Sequence, residues 1–300
     1  MRTLPLVSVL IPAYNRPHFL QKALQSVLEQ TYPNIEIIVC DDSTNDGVQE
    51  MILPYLSKYP AIKYVKNNTV LFLKNWHKTF QLASGEYINY LMDDDLFHPK
   101  KIEKMMSYYL QRDDITIVTS CRQVIDEYGA DLPPIPETMK LFEEPTVADG
   151  KELGNYILSN GRNVIGEPTT VLLRKKDFTE LYGVYHGKQY TCLNDVATWL
   201  QLLSKGSVVY IPEALSYFRL HPGQNSRSIQ IAATAISEWT DLIDKARKDG
   251  FLGSNDLLKS ALYKQKGNLQ WLRTTNEFKD YEQTIDEVLF RIDQMLLQTA

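Results

Sequence analysis

The chain has 300 residues, 44% hydrophobic and 23% charged, the composition of a soluble globular protein with enough length to bury a substantial core. A net charge of -5 speaks against a nucleic-acid binder, whose affinity would come largely from Lys and Arg neutralising phosphates. The three cysteines, Cys40, Cys121 and Cys192, lie far apart with no Cys-x-x-Cys pair, so neither a disulfide framework nor a zinc site is suggested and a reducing cytosol fits best. Met1 to Pro5 lead straight into a strand without a signal-peptide apolar core. No apolar run approaches the ~20 residues of a membrane span, so a cytoplasmic chain is expected.

Val7-Ser8-Val9-Leu10-Ile11 is an apolar run of the buried-strand type, stopped by Pro12. From Arg16 onward, Leu20, Ala23, Leu24, Val27 and Leu28 recur at i, i+3, i+4, i+7 and i+8, the stripe of a helix lying on a sheet. Pro12-Ala13-Tyr14-Asn15-Arg16 is therefore a strand-to-helix turn. Ile35 to Cys40 reads as the second strand, with Asp41 to Gly47 as its polar exit. Val48, Met51, Ile52, Tyr55 and Leu56 repeat the helical spacing, and Pro54 inside it predicts a kink or a late start. A brief third strand, Ile62 to Val65, precedes a helix marked by Phe72, Trp76, Phe80 and Ala83 that ends before Gly85. Glu86 to Leu91 is a fourth, buried strand. Asp93-Asp94-Asp95 follow it at once, and Pro99 opens a helix with Ile102, Met105, Met106 and Tyr109 at helical spacing. Ile115 to Thr119 is a fifth strand.

Strand and helix alternate through residue 120, so the expected class is α/β: a Rossmann-like, mostly parallel sheet flanked by helices, with right-handed crossovers. Gly-x-Gly-x-x-Gly does not follow the first strand and no Walker motif occurs, so a bound nucleotide would not be held by a glycine-rich phosphate loop. Pro133, Pro134, Pro136 and Pro145 mark residues 126–148 as a loop. Asp149 with Glu152 reads as a capping box for a helix to about Leu158. Then come a strand at Thr170 to Arg174, and a helix from Asn194-Asp195 with Val196, Trp199, Leu200 and Leu203 inward and Gly206 as its stop. Two short strands follow, Val208 to Ile211 and Leu215 to His221. From Ser228 the composition turns to long helical patterns at 229–248, 256–272 and 278–297, a C-terminal appendage or interface through which the chain could self-associate.

The acidic triplet sits on a turn at the carboxyl edge of the sheet, where open α/β folds bind ligands. Adjacent Asp side chains repel one another and lose water when held together, so a cation or strong hydrogen-bond donors must compensate. Hard oxygen ligands of this kind suit Mg²⁺ or Mn²⁺ better than zinc or copper.

Val-Ser-Val-Leu-Ile-Pro-Ala-Tyr-Asn-Arg at 7–16, Gln30-Thr31-Tyr32-Pro33, Glu36-Ile37-Ile38-Val39 and Asp41-Asp42-Ser43 together resemble the opening of inverting family 2 glycosyltransferases of the GT-A fold. Asn75-Trp76 and Ala83-Ser84-Gly85-Glu86-Tyr87-Ile88 continue the likeness to the triplet and Pro99. It resumes at Asn194-Asp195 and at Tyr217-Phe218-Arg219-Leu220-His221-Pro222. So many segments in order are improbable by chance. The resemblance implies a GT-A domain over residues 1–225, with a nucleotide-sugar half (1–120) and an acceptor half (121–225), followed by the helical region 226–300.

By the same resemblance Pro12, Ala13, Tyr14, Asn15, Arg16, Asp42 and Asp93 would line the nucleotide. Asp42 would accept from an imide N–H or a ribose hydroxyl, and Tyr14 would stack on the base or merely pack. Arg16 would meet phosphate or lie on the helix surface. Where many relatives carry the first carboxylate of Asp-x-Asp-Asp, this chain has Met92. Asp94 is then the leading metal ligand, with Asp95 behind it, Asp93 facing ribose or metal, and His221 approaching metal or diphosphate. Asp195, in the first turn of its helix, would be the general base. The acceptor would lie over the Pro-rich loop and Gly166-Glu167-Pro168, with Glu167 on its side and Trp199 either a sugar-stacking surface or core. The implied reaction is metal-assisted transfer, with Mn²⁺ or Mg²⁺, from a nucleoside diphosphate sugar, UDP-linked, to a hydroxyl of a glycan, lipid-linked or protein acceptor. A lipid-linked acceptor would bring the chain to the inner face of a membrane as a peripheral protein. Two rival classes are a nucleotidyltransferase, which should carry a glycine-rich basic loop where Pro12 to Arg16 stand, and a sugar-nucleotide-binding module without catalysis.

Overall fold

β1 (Val7–Ala13) lies between β2 (Ile35–Asp41) and β4 (Tyr87–Tyr90), parallel to both, and β3 (Ile62–Lys66) pairs parallel with β2 in the computed structural model, which describes residues 4–224 and 228–299. The lead-in Met1 to Thr3 and position 225, the expected end of the catalytic part, lie outside the described residues. Two compact units divide the chain. One takes the residues up to Val147, Ile165–Thr179 and Ser207–Leu220. The other takes Ala148–Val164, Glu180–Gly206 and the chain from His221 onward.

In the first unit the strand order is β3-β2-β1-β4-β9-β6-β12-β5, with β5 at Leu96–Phe97, β6 at Ile115–Ile125, β9 at Leu172–Arg174 and β12 at Ser207–Arg219; β7 (Asp131–Leu132) pairs with β6. The first four strands are all parallel, as their alternation with helices dictates. The sheet beyond them is mixed. β9 inserts antiparallel between β4 and β6, and β5 runs antiparallel to β12. Val7, Val9 and Ile11 on β1, Leu20 and Leu24 on α1 (Pro17–Leu28), and Ile102, Met105 and Met106 on α4 (Lys101–Tyr109) belong to one buried cluster. Each such side chain contributes roughly 1.5–3 kcal/mol by leaving water.

Several expected boundaries shift for identifiable reasons. Pro12 does not stop β1. It pairs with Cys40 beyond Leu10–Tyr90, the last pair with β4, so the ladder on that side does not need its missing N–H. Pro54 lies inside an uninterrupted α2 (Gly47–Lys58), which neither starts late nor ends there. α3 (Leu73–Leu82) forms where expected and ends before Gly85, but its buried residues are Asn75 and Thr79; of the expected apolar stripe, Trp76 and Phe80 are half-buried, while Phe72 and Ala83 flank the helix and Phe72 is exposed. β5 separates the acidic triplet from α4, so the turn is not a direct strand-to-helix link. The two strands expected at 208–211 and 215–221 are a single β12, which bulges between Ile211 and Ser216 to pass Pro212. The Pro-rich stretch holds β7, a 3₁₀ turn at Pro136–Thr138 and the start of β8 (Thr146–Asp149), and Thr170 ends a 3₁₀ turn (Pro168–Thr170) before β9.

The second unit is helical apart from the hairpin β10 (Val184–Tyr185) and β11 (Lys188–Gln189). α5 (Gly150–Asn160) begins as its capping pair predicts, with Asp149 Oδ1 accepting from the Glu152 N–H at 2.9 Å. It packs on α6 (Asn194–Leu203) so closely that a Cβ on Gly150 would stand 2.2 Å from the carbonyl oxygens of Leu203 and Gly206. α7 (Ile229–Ala246), α8 (Asn255–Leu272) and α9 (Glu282–Leu297) contact one another, and α8 also contacts α5. Among the described residues, no helix is long and apolar enough to cross a membrane.

Candidate functional site

At the carboxyl ends of β1, β2 and β4 the polar exits of three strands are tied to one another. Asn15, between β1 and α1, adopts a left-handed backbone (φ 53°), which an Asn tolerates because its side chain bonds locally. Its N–H donates to Ser43 Oγ at 2.8 Å and its Oδ1 accepts from the Thr44 N–H at 3.0 Å. Ala13 C=O accepts from the Asp42 N–H at 2.9 Å, while Pro12 is half-buried and Tyr14 is exposed. The expected nucleotide residues 12–16 and 42 therefore do form one edge.

Asp42 is more committed than its expected role as a base acceptor implies. Its Oδ1 accepts from Asn67 Nδ2 at 2.8 Å, and its Oδ2 accepts from the backbone N–H groups of Leu71 and Phe72, both at 2.8 Å. Asn67 in turn bonds Asn75 Oδ1, and Asn75 Nδ2 bonds Cys40 C=O. A buried carboxylate that takes two N–H groups clamps the segment between β3 and α3. Phe72, at its end, holds a positive φ of 52° with its side chain largely in solvent.

The triplet is buried, and every one of its carboxylates accepts hydrogen bonds. Asp93 Oδ2 accepts from the Tyr14 N–H at 2.9 Å and its Oδ1 from Arg16 Nη1 at 3.0 Å. The same Nη1 reaches Asp94 Oδ2 at 2.9 Å, so Arg16 bridges the pair and is not merely a helix-surface residue. Asp95 Oδ2 accepts from Thr169 Oγ1 at 2.7 Å and its Oδ1 from the Arg219 N–H at 3.0 Å. Burial, and then the neighbouring Asp94, push the Asp93 carboxyl up to about 7 against the pull of Arg16. Burial and the charges of Asp94 and Glu167 hold Asp95 well above the carboxylate range. This is the electrostatic cost of crowding three acids, and the guanidiniums of Arg16 and Arg219 offset only part of it.

The donor set fits a hard divalent cation of a particular kind. Among the described residues no three His, Cys, Asp or Glu side chains are grouped to cage a metal. A magnesium-like ion does not need such a cage, because it takes one or two carboxylates and completes its shell with substrate phosphates and water. Asp94, paired with Arg16 at the front of the triplet, is the carboxylate suited to that task, whereas Asp95 is locked to Thr169 and Arg219.

Arg219 lies in the segment 217–222 that carries the family resemblance, which implies no role for it. It is fully buried, with Nε donating to Asp94 C=O at 2.7 Å, Nη1 donating to Asp126 C=O at 2.9 Å, and its guanidinium 5.0 Å from the Phe19 ring centre. It fixes the triplet's backbone from behind. Thr169 was equally missed. Its position directly after Glu167-Pro168, opposite a carboxylate turn, was the available signal.

Glu167 lies 2.8 Å from Arg122 Nε as an ion pair without hydrogen-bond alignment, and its Oε1 is buried with no partner. Arg122 lines a cleft of about 800 Å³ between β6, the bulge of β12 and the Pro-rich stretch, whose walls include Gln123, Thr138, Met139, Lys140 and Pro212.

In the second unit Asp195 occupies the first turn of α6, and its Oδ2 accepts from Asn163 Nδ2 at 2.7 Å. Trp199 is not a sugar platform. It is completely buried and meets Tyr182 edge-on at 6.1 Å, since its place on the inward stripe of α6 commits it to the core. His221 is buried, with Nδ1 accepting from the Gly223 N–H at 3.2 Å.

Residues 8–178 match the model of the family described as glycosyl transferase family 2. An uncharacterised glycosyltransferase of Rickettsia typhi is 28% identical over 249 residues, 81% of this chain and 73% of its own length. A Bacillus subtilis protein provisionally assigned to teichuronic acid biosynthesis, the glycosyltransferase TuaG, is 28% identical over 222 residues, covering 72% of this chain and 79% of that one. Among solved structures, S. aureus TarS 1–349 in complex with UDP-GlcNAc superposes with a TM-score of 0.67 at 16% identity, over 96% of this chain and 81% of that one. Against another crystal structure of S. aureus TarS the TM-score is 0.63, and this chain spans 46% of the length of that one.

Proposed function

Because the chain belongs to glycosyl transferase family 2 and is a glycosyltransferase, we propose that it transfers a sugar from a UDP-linked donor to a hydroxyl of a glycan, with inversion and with the help of Mn²⁺ or Mg²⁺. The observation that carries this reading is the bridge from Arg16 Nη1 to Asp93 and Asp94. Buried carboxylates that already require positive charge are prepared for the divalent ion that accompanies a diphosphate. TarS, of the same fold, is described in complex with UDP-GlcNAc, and TuaG is provisionally assigned to teichuronic acid biosynthesis, which motivates a UDP-linked donor and a glycan acceptor.

In this reading Asp94 would hold the divalent ion, which when bound would supply Lewis-acid stabilisation of the charge that grows on the leaving diphosphate. Arg16 contributes a second positive charge there, and Asp93 accepts from a ribose hydroxyl. Asp195 takes the proton of the acceptor hydroxyl as that oxygen bonds to the anomeric carbon and the bond to the diphosphate oxygen breaks. Asn163 orients the Asp195 carboxylate for that transfer. The cleft beside Arg122 mixes amide, hydroxyl and charged groups with the apolar side chains of Met139 and Pro212, a lining suited to a saccharide.

The experiment is a panel of nucleotide sugars turned over by the parent, Asp94→Ala and Asp195→Ala. Metal-dependent release of UDP that is lost in both variants supports the reading. Parental turnover in both refutes the assigned roles, and binding without turnover in the parent would leave only a sugar-nucleotide-binding module.

A further inference from the structure

We propose that Glu238, on the C-terminal helix α7, is a positioning residue that fixes the start of α6 and thereby the direction in which Asp195 points. The inference rests on the reading of Asp195 as the base. α6 has a poor beginning of its own. Its N-cap residue is Leu193, whose side chain offers no acceptor for the free N–H groups of a first turn. Within the helix the Asp195 carboxylate takes the Val196 N–H at 2.6 Å, and the buried Glu238 carboxylate holds the turn that leads into it. Oε1 accepts from the Thr191 N–H at 2.7 Å, and Oε2 accepts from the Cys192 and Leu193 N–H groups at 3.0 and 2.8 Å. Three N–H donors on three consecutive residues offset the cost of burying that charge and leave the turn one conformation.

One helical turn further along α7, Asp241 takes the Tyr190 hydroxyl at 2.5 Å and Lys188 Nζ at 3.0 Å. Residues 188–193 are thus held at two points by a helix that sequence patterning reads as an appendage. Two residues after the last of those N–H groups comes Asp195, whose carboxylate is restrained on its other side by Asn163. A shift of the turn moves the base directly, and displacement of a reacting group by about 1 Å can cost on the order of a hundredfold in rate.

The test is Glu238→Gln in the full chain, a substitution of equal size that turns an NH₂ toward N–H donors. Expected are a fall in kcat of about tenfold or more, a donor KM within about twofold of the parent, and faster exchange of the 191–193 amides. In an Asp195→Asn background the same substitution should change the residual rate less than about twofold, because its effect passes through Asp195. Should Glu238→Gln not fold, Glu238→Asp keeps the charge but withdraws it by one methylene and should lower kcat about threefold or more at constant KM. Parental kcat in the folded variant, or an equal loss in the Asp195→Asn background, overturns the inference. Parental turnover in Asp195→Asn alone instead sinks the base assignment, and is read separately.

Discussion

Replacing Arg219 by Lys keeps a positive charge behind the acidic triplet but removes the fork that holds it. The guanidinium reaches Asp94 C=O through Nε at 2.7 Å and Asp126 C=O through Nη1 at 2.9 Å, two carbonyls on different segments that one ammonium cannot serve together. At least one charge-assisted bond to a buried carbonyl is lost, at about 1.5–3 kcal/mol. The Arg219 N–H to Asp95 is a backbone bond and survives the change. For a domain of this size a loss of that order lowers the unfolding temperature by roughly 5 °C. The functional effect should be larger than the thermal one, because the freed carbonyl belongs to Asp94 itself. A drift of about 1 Å there would cost up to a hundredfold in kcat. Scanning calorimetry and turnover with a saturating donor measure the two effects. A variant that melts within 1 °C of the parent and turns over within about twofold would refute the claim that Arg219 sets the position of Asp94.

Glu36→Gln should destabilise the first unit by about 2–4 kcal/mol while leaving turnover per folded molecule unchanged, because Glu36 accepts from Ser8 Oγ, the Ser84 and Gly85 N–H groups and Lys63 Nζ away from the candidate site. Burial raises the Glu36 carboxyl, but its bonds from Lys63, Ser8 and the Ser84 N–H outweigh that and hold it below 4.5. A depressed folded-state pKa means its stabilisation is complete above about 4.5 and disappears as pH falls through the folded value. Denaturant titrations from pH 7 to 3 should therefore show a smaller acid loss in Glu36→Gln than in the parent, and equal slopes would contradict this. Phe72→Gly should leave the melting temperature unchanged or raise it, since relief of a strained φ, about 1–3 kcal/mol, offsets the roughly 1 kcal/mol of extra chain entropy that glycine must lose. A clear loss of stability would mean that the exposed ring has a packing role.

Local chemistry was legible wherever a residue's neighbours in sequence are its partners in space. Asp149 caps α5, and the apolar stripes of α1, α4 and α6 face their cores. The placement of the acids after β4 also followed from pattern alone. What could not be read depends on long-range pairing. β9 is two leucines and Arg174, too short a run to show whether it pairs parallel or antiparallel, and only the free edges of β4 and β6 decide. β12 looked like two strands because Pro212 interrupts it, yet a bulge lets the ladder to β6 continue. Asp42 looked like a free acceptor because its partners, the N–H groups of Leu71 and Phe72, are backbone and carry no sequence signature. Glu238 was one acid among several on an amphipathic helix, and nothing in its own segment points to the turn before Asp195.

Calorimetric titration of UDP into the parent and Asp94→Asn, each with and without Mn²⁺, bears most directly on the role given to the acids that follow Met92. The parent should bind UDP at least about tenfold more tightly with the ion present, a coupling of about 1.4 kcal/mol, and Asp94→Asn should bind equally with and without it. An undiminished manganese effect in Asp94→Asn, or none in the parent, would contradict the account.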